Sequence, residues 1–511
     1  MFSIISTENI KKRLAIIKRF REIPLYLLPM FALLIYAFVE FCLRMQYELS
    51  EPFTWDTGIY WAVGRGIVNG ISPWGGLWDI KPPGIFLLSA VSYKIFGTSV
   101  LTHYFQSLVL IAIAVIPILS HFIFPNCSVW RFIICALFGF AISLYAAERS
   151  GEVQIESFGA AFGCIAVFAF SHPNFYKRKK MWIAVSALGI LGACGLKEPF
   201  LFPIFGASVL LCKDLKDWYY RFLLPLIIAM AAGFLLLLIF GWLGDFLHYL
   251  DFMRQFWVNR FGSPYKRAMQ FWRLWEDMNG FSWGLGWVFV TLLFAPFVLY
   301  KNYFPNMAVK ILIAFLLTSY TVGLGGEFYN HHHVFAVPFY FALLAMLLNA
   351  EKFNETSGLL GVKSLLFVLL SVAVLNLPNL NLDKRAKEMK HTREEQLKEA
   401  AYIDAVLDKA GLKRYMYLGR NGNHVYGWTK HSPEGPYFIQ YEEWVRDIPE
   451  FKTTVLSMLM NSQVAVMGWI QSPVKDAVQP ILDEYFTLEP WDNVADIPRP
   501  LRMYNIYFRK R

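Results

Sequence analysis

Eleven apolar runs follow one another between positions 24 and 382, each about as long as a bilayer is thick once wound into a helix. They read at 24–45, 99–124, 130–147, 157–172, 181–197, 198–212, 221–243, 281–300, 306–323, 334–350 and 362–382. A hydrocarbon core of about 30 Å takes roughly 20 helical residues to cross. Inside it every backbone donor and acceptor needs a partner on its own chain, which helices supply. Charged residues make up 17% of the chain, where soluble domains carry about 25%. The expectation is an α-helical polytopic membrane protein with about 11 transmembrane helices. The tightest junction is Lys197-Glu198-Pro199, where the proline disfavours a helical residue before it and separates two short spans.

The net charge of +10 could suggest a nucleic-acid partner, but its distribution argues against one. From Asp383 onward, 19 basic residues face 18 acidic ones, so the excess lies in short loops between apolar runs. Six basic residues between Lys11 and Arg21 precede the first run, which places the N-terminus in the cytoplasm. Alternating the loops from there puts 18 Lys and Arg inside and 10 outside, the bias expected of a correct orientation. An odd number of crossings then leaves the C-terminal part outside. The six cysteines lie in or beside apolar runs without a CxxC pair and read as small core hydrophobes.

After position 382 the pattern changes. Residues 383–410 read as a charged helix, RYMYLG (414–419) and QVAVMGW (463–469) as buried strands, VKDAVQPILDEYF as a helix and MYNIYFRKR as a last strand. The organisation expected is a membrane domain, 1–382, with an outer loop at 46–98, and a soluble periplasmic α/β domain, 383–511. The tail has neither a P-loop nor GxGxxG spacing.

Polar residues with chemical potential gather on the outer side. Asp56 follows the first run by about one turn, and a carboxylate so near a bilayer is costly unless paired or functional. The residues alone also allow an N-cap of a helix starting near Thr57. Tyr60 and Lys81-Pro82-Pro83-Gly84 follow on the same loop, with Lys81 free to snorkel to headgroups. Glu152 and Glu156, four residues apart, share a face if their turn is helical. Both are also open to pairing with Arg149 or Lys197, and Lys197 either contacts an anion or pairs with a glutamate, Glu198 or one of these two. Arg254, Arg260, Arg267 and Arg273 crowd the 244–280 segment, and arginine matches phosphate geometry. The last outer turn holds Tyr329, His331, His332 and His333; consecutive helical residues project about 100° apart, which argues against three histidines on one metal.

Taken together, D-x3-Y…G-x2-P…KPPG…FG in residues 53–97, more weakly GLKEPF at 195–200 and Tyr329…Pro338, resembles the C superfamily of glycosyltransferases (GT-C). The likeness is to protein O-mannosyltransferases and bacterial aminoarabinose transferases. The resemblance implies GT-C architecture over about 24–382 and sugar transfer from a polyprenyl-phosphate donor to an envelope glycan, lipid or protein, with inversion. It implies a bacterial inner-membrane location, Asp56 as the catalytic base, and substrate contacts from Tyr60, Lys81, Glu152, Glu156, Lys197, Arg254, Arg260, Arg267, Tyr329, His332 and His333. The resemblance fixes no cofactor; a divalent metal is compatible with the site, but its ligands are not defined. The aminoarabinose transferases carry an acid immediately before the lysine, and Ile80 stands there instead. The competing class is a transporter or flippase of lipid-linked sugars, whose sites usually lie at mid-membrane between repeats; no repeat is visible here.

Overall fold

The computed structural model describes residues 28–53, 55–97, 101–123, 128–150, 154–260, 285–299, 304–323, 330–349, 360–376, 382–419, 422–440, 442–468, 472–488, 493–494, 497–498 and 505–510. Six helical stretches among them are long and apolar enough to cross a membrane: Leu28–Glu48, Val129–Ser150, Phe175–Leu196, Leu215–Ile239, Asn306–Gly323 and His331–Asn349. The other expected spans coincide with shorter apolar helices. The protein is an integral membrane protein, and its exposed surface fits that. Met230, Phe234, Leu235 and Ile239 stand out from one helix and are each more than half exposed, an arrangement water would penalise and lipid does not.

The helices are α1 (Leu28–Glu48), α2 (Trp55–Val68), α3 (Pro83–Phe96), α4 (Leu101–Ile123), α5 (Val129–Ser150) and α6 (Ile155–Ser171), then α7 (Lys179–Leu196) and α8 (Leu201–Leu211). Next come α9 (Leu215–Trp218), a π turn at Tyr219–Leu223, α10 (Leu224–Ile239) and α11 (Leu243–Arg260). The membrane part closes with α12 (Leu285–Leu299), α13 (Phe304–Gly323), a 3-10 turn (Asn330–Ala336), α14 (Val337–Asn349) and α15 (Leu360–Leu375). Helices α5 and α14 are apolar all round and lie at the centre of the bundle, as such helices must. Gly139 lets α5 approach α4 so closely that a Cβ there would overlap the Ala114 carbonyl.

The junction after α7 differs by one residue from the sequence reading. Lys197 is the extended residue (φ −156°, ψ 111°), and Glu198-Pro199-Phe200 form a 3-10 turn leading into α8. Helix α2 starts at Trp55, so Asp56 lies inside its first turn rather than capping a helix that begins near Thr57.

The tail opens with α16 (Leu382–Ala410) and builds a five-stranded sheet in the order β2-β1-β3-β7-β4. Strand β1 (Arg414–Leu418) is parallel to β2 (Ser432–Pro433) and β3 (Val464–Met467); β7 (Asn505–Arg509) runs antiparallel to β3 and to β4 (Phe486–Leu488). Helices α17 (Gly422–Trp428), α18 (Glu442–Asp447), α19 (Pro449–Asn461) and α20 (Ser472–Tyr485) connect the strands, and β5 (Asn493–Val494) pairs with β6 (Ile497–Pro498). The sheet does not stand apart from the outer loop. Ile59, Tyr60, Val63 and Phe86 share one apolar core with Tyr415, Tyr417, Val425 and Tyr426.

Candidate active site

Helix α2 presents Asp56 toward the start of α3. The Lys81 Nζ lies 3.6 Å from Asp56 Oδ1, and both side chains keep some solvent access, 14% and 23% respectively. Burial opposes the charge on Lys81, but the carboxylates of Asp56, Asp79 and Glu156 outweigh it and raise the lysine above its ordinary range. Lys81 is therefore cationic wherever the protein works.

The loop before Lys81 is held by its aromatics. Trp74 adopts a positive φ of 63°, a costly conformation for a bulky residue. Its ring is buried against Tyr249, with centroids 5.1 Å apart, and its indole N–H donates to the Lys81 carbonyl at 3.2 Å. The Tyr249 hydroxyl, within 3.5 Å of both the Ile80 carbonyl and Glu198 Oε1, ties the same loop to the turn after α7. Burial, then Glu198 and Asp79, push that phenol well above its ordinary value, so it stays a donor.

Gly84 explains the last letter of KPPG. It sits against the Gly195 carbonyl, where any Cβ would overlap the oxygen. This contact sets the N-terminus of α3 on the C-terminal turn of α7 and brings Lys81 toward Lys197. Lys197 donates to Glu156 Oε1 at 2.7 Å, and Glu156, only 1% exposed, occupies the first turn of α6, where the helix dipole favours a carboxylate. Of the glutamates open to Lys197 on sequence grounds, the ion pair formed is with Glu156 rather than the adjacent Glu198. His331 Nε2 lies 3.9 Å from the same oxygen. Asp56 and Lys81 both act electrostatically on His331, so the two ion pairs and the histidine form a single polar site.

The backbone adds to one sequence argument: the three histidines do not converge together, but two of them do. The histidines lie on a 3-10 turn, and His331 and His332 do converge with Glu156: one ligand atom from each falls within 4.8 Å of the others. A carboxylate and two imidazoles suit a borderline divalent cation, although Lys197 already holds one Glu156 oxygen.

The remaining candidates fall elsewhere. Tyr60 is buried and edge-on to Phe86, cementing α2 to α3. His333 is not among the groups converging on Glu156. Arg254 is 75% exposed on α11 and paired with Asp251. Glu152, Arg267, Arg273 and Tyr329, and the side chain of Arg260, lie outside the described residues. Sequence reasoning passed over Asp79, two places before Lys81 rather than adjacent, and named His331 only together with its neighbours without singling it out.

No protein-family model matches this chain, and no curated relative does. Solved structures do. ArnT from Cupriavidus metallidurans bound to undecaprenyl phosphate superposes with a TM-score of 0.51 at 13% identity, over 94% of this chain and 97% of that one. The same protein in the apo state gives 0.52 at 14% identity, over 93% and 97%. The chain has the ArnT fold. The polytopic helical architecture expected from the sequence is thus shared with that protein, and the likeness extends through the tail as well as the membrane helices.

Proposed function

We propose that this protein is a membrane glycosyltransferase that moves a sugar from a polyprenyl-phosphate donor to a hydroxyl of an envelope glycan, lipid or protein. The observation that carries this reading is Asp56 held 3.6 Å from Lys81, beside Lys197, Glu156 and His331, at one end of the bundle. The ArnT fold, seen elsewhere with undecaprenyl phosphate bound, supports the choice of lipid carrier.

Asp56 accepts the proton of the acceptor hydroxyl as its oxygen attacks the anomeric carbon. The new oxygen–carbon bond forms as the bond from that carbon to the phosphate oxygen breaks, and attack opposite the leaving group inverts the centre. Polyprenyl phosphate leaves as an anion, so cations serve better than a general acid. Lys81 and Lys197 are placed to hold it. A divalent cation bound by Glu156, His331 and His332 would add positive charge near that phosphate. The N-terminus is cytoplasmic, and the site and residues 383–511 face the outside of the inner membrane. Tyr60 acts by packing.

Mass spectrometry of envelope glycans and glycolipids with and without the protein tests the reading. Loss of one glycosylated product with accumulation of a polyprenyl-phosphate sugar is expected. An unchanged product set with the lipid-linked sugar trapped on the cytoplasmic side would instead mean transport without chemistry.

A further inference from the structure

Helix α2 is held from two opposite sides. Nine residues separate Asp56 from Arg65, which is two and a half turns, so they project from opposite faces about 14 Å apart along the axis. The Asp56 face meets Lys81. The opposite face, which carries Gly58 and Arg65, is covered by the tail. Arg65 is buried, and its guanidinium donates to the carbonyls of Tyr426 (2.9 Å), His431 (3.0 Å) and Thr429. The Tyr426 and Thr429 carbonyls lie in the last turn of α17 and just past it, where helix carbonyls lack partners within the helix and favour a cation, and His431 follows two residues further on. About two turns before Arg65, Gly58 lies so close to α17 that a Cβ would overlap the Asn423 carbonyl, while a Cβ on Gly427 would come within 2.9 Å of Gly58 Cα.

The start of α2 is fixed by the tail as well. The Gln396 carboxamide, on α16, accepts from the Phe53 N–H at 3.0 Å and donates to the Phe53 carbonyl at 2.9 Å. The Trp428 indole donates to the same Gln396 oxygen, and its ring stacks on Phe53 at 4.1 Å. Both ends of the helix that carries Asp56 are therefore anchored to residues more than 300 positions later in the chain.

We infer that the tail is a positioning element of the active site: it clamps α2 through Arg65 and Gln396 and so sets the height and rotation of Asp56 against Lys81. The inference rests on Asp56 being the base and gives the tail a part in setting the geometry of catalysis. Arg65 acts through Asp56 and is a positioning residue. A base displaced by an ångström loses rate far more than it loses carrier affinity, because the phosphate is held by other groups.

The test uses the full-length chain. Product per cell is measured by mass spectrometry at matched protein level, and undecaprenyl phosphate binding to the purified protein is measured by native mass spectrometry. Arg65→Gln should lower product about tenfold to a hundredfold while carrier binding stays within about twofold. Arg65→Lys, which restores one charged donor, should recover part of the loss. Gly427→Ala, which wedges the crossing from the tail side, should show the same split without touching Arg65. Wild-type product in Arg65→Gln and Gly427→Ala beside an inactive Asp56→Asn would overturn the clamp and leave the proposed function standing. Product and carrier binding falling together in both variants would also overturn it, as the mark of general unfolding. Normal product in Asp56→Asn would remove the proposed base and the clamp with it.

Discussion

The two lysines of the site are paired differently, and their variants should differ accordingly. Lys197 faces a buried carboxylate at 2.7 Å, so Lys197→Met should lose carrier affinity by about tenfold to a hundredfold if the ammonium holds phosphate. It should also lose about 1–3 kcal/mol of stability, because Glu156 is left without its cation. Adding Glu156→Gln should restore the thermal midpoint but not the affinity; a midpoint unmoved by Lys197→Met would mean that the pair contributes nothing to the fold. Lys81 carries a raised pKa from three surrounding carboxylates. The sign follows: the stabilisation is complete below the ordinary lysine value of about 10.4 and fades only as pH climbs through the higher folded value. Lys81→Arg, charged throughout, should therefore share any alkaline limb of the rate with the wild type up to about pH 10, and a limb that disappears in Lys81→Arg would show the lysine losing its proton. Asp56 and Lys81 were legible in the sequence because both sit on one short loop with a proline-glycine signature. A pairing of Glu156 with Lys197 was one of the open alternatives, but the addition of His331 was not legible, because a helix start, an extended junction and a 3-10 turn bring the three together and no spacing records that.

At the scale of elements, the glycines decide what can approach what. Gly84 is the hinge of the site: its contact with the Gly195 carbonyl seats α3 on α7. Gly84→Ala should cost about 1–3 kcal/mol as an overpacked crossing and reduce transfer by moving Lys81 away from Lys197. Normal stability and normal turnover in that variant would contradict the crossing. Apolar period and length were enough to place the spans, and the buried strands at 414–418 and 464–467 were visible as short apolar runs. The positive φ of Trp74 was not, since a tryptophan gives no local signal for it and only the Tyr249 stack and the Lys81 hydrogen bond explain it. The adjacent histidines do not all three converge, as the angular argument held, but the 3-10 turn brings two of them, His331 and His332, toward Glu156, a pairing the argument did not anticipate.

For the whole molecule, orientation and chemistry must agree. The basic-residue bias predicts that residues 383–511 lie outside, and Ser457, exposed on α19, offers a handle. Ser457→Cys should react with an impermeant maleimide in intact spheroplasts above the level of the parent protein; protection until lysis would reverse the topology and put the site on the cytoplasmic face. The sequence divided the chain at position 382 by composition, yet outer loop and tail share one core, a long-range contact that composition does not encode. The central claim is that Asp56 removes the acceptor proton. Asp56→Asn keeps size and hydrogen-bonding capacity while losing proton acceptance, so product formation should fall by roughly 10²–10⁴-fold with undecaprenyl phosphate still bound. Product formed at the wild-type rate by Asp56→Asn, at matched protein level, would contradict the account.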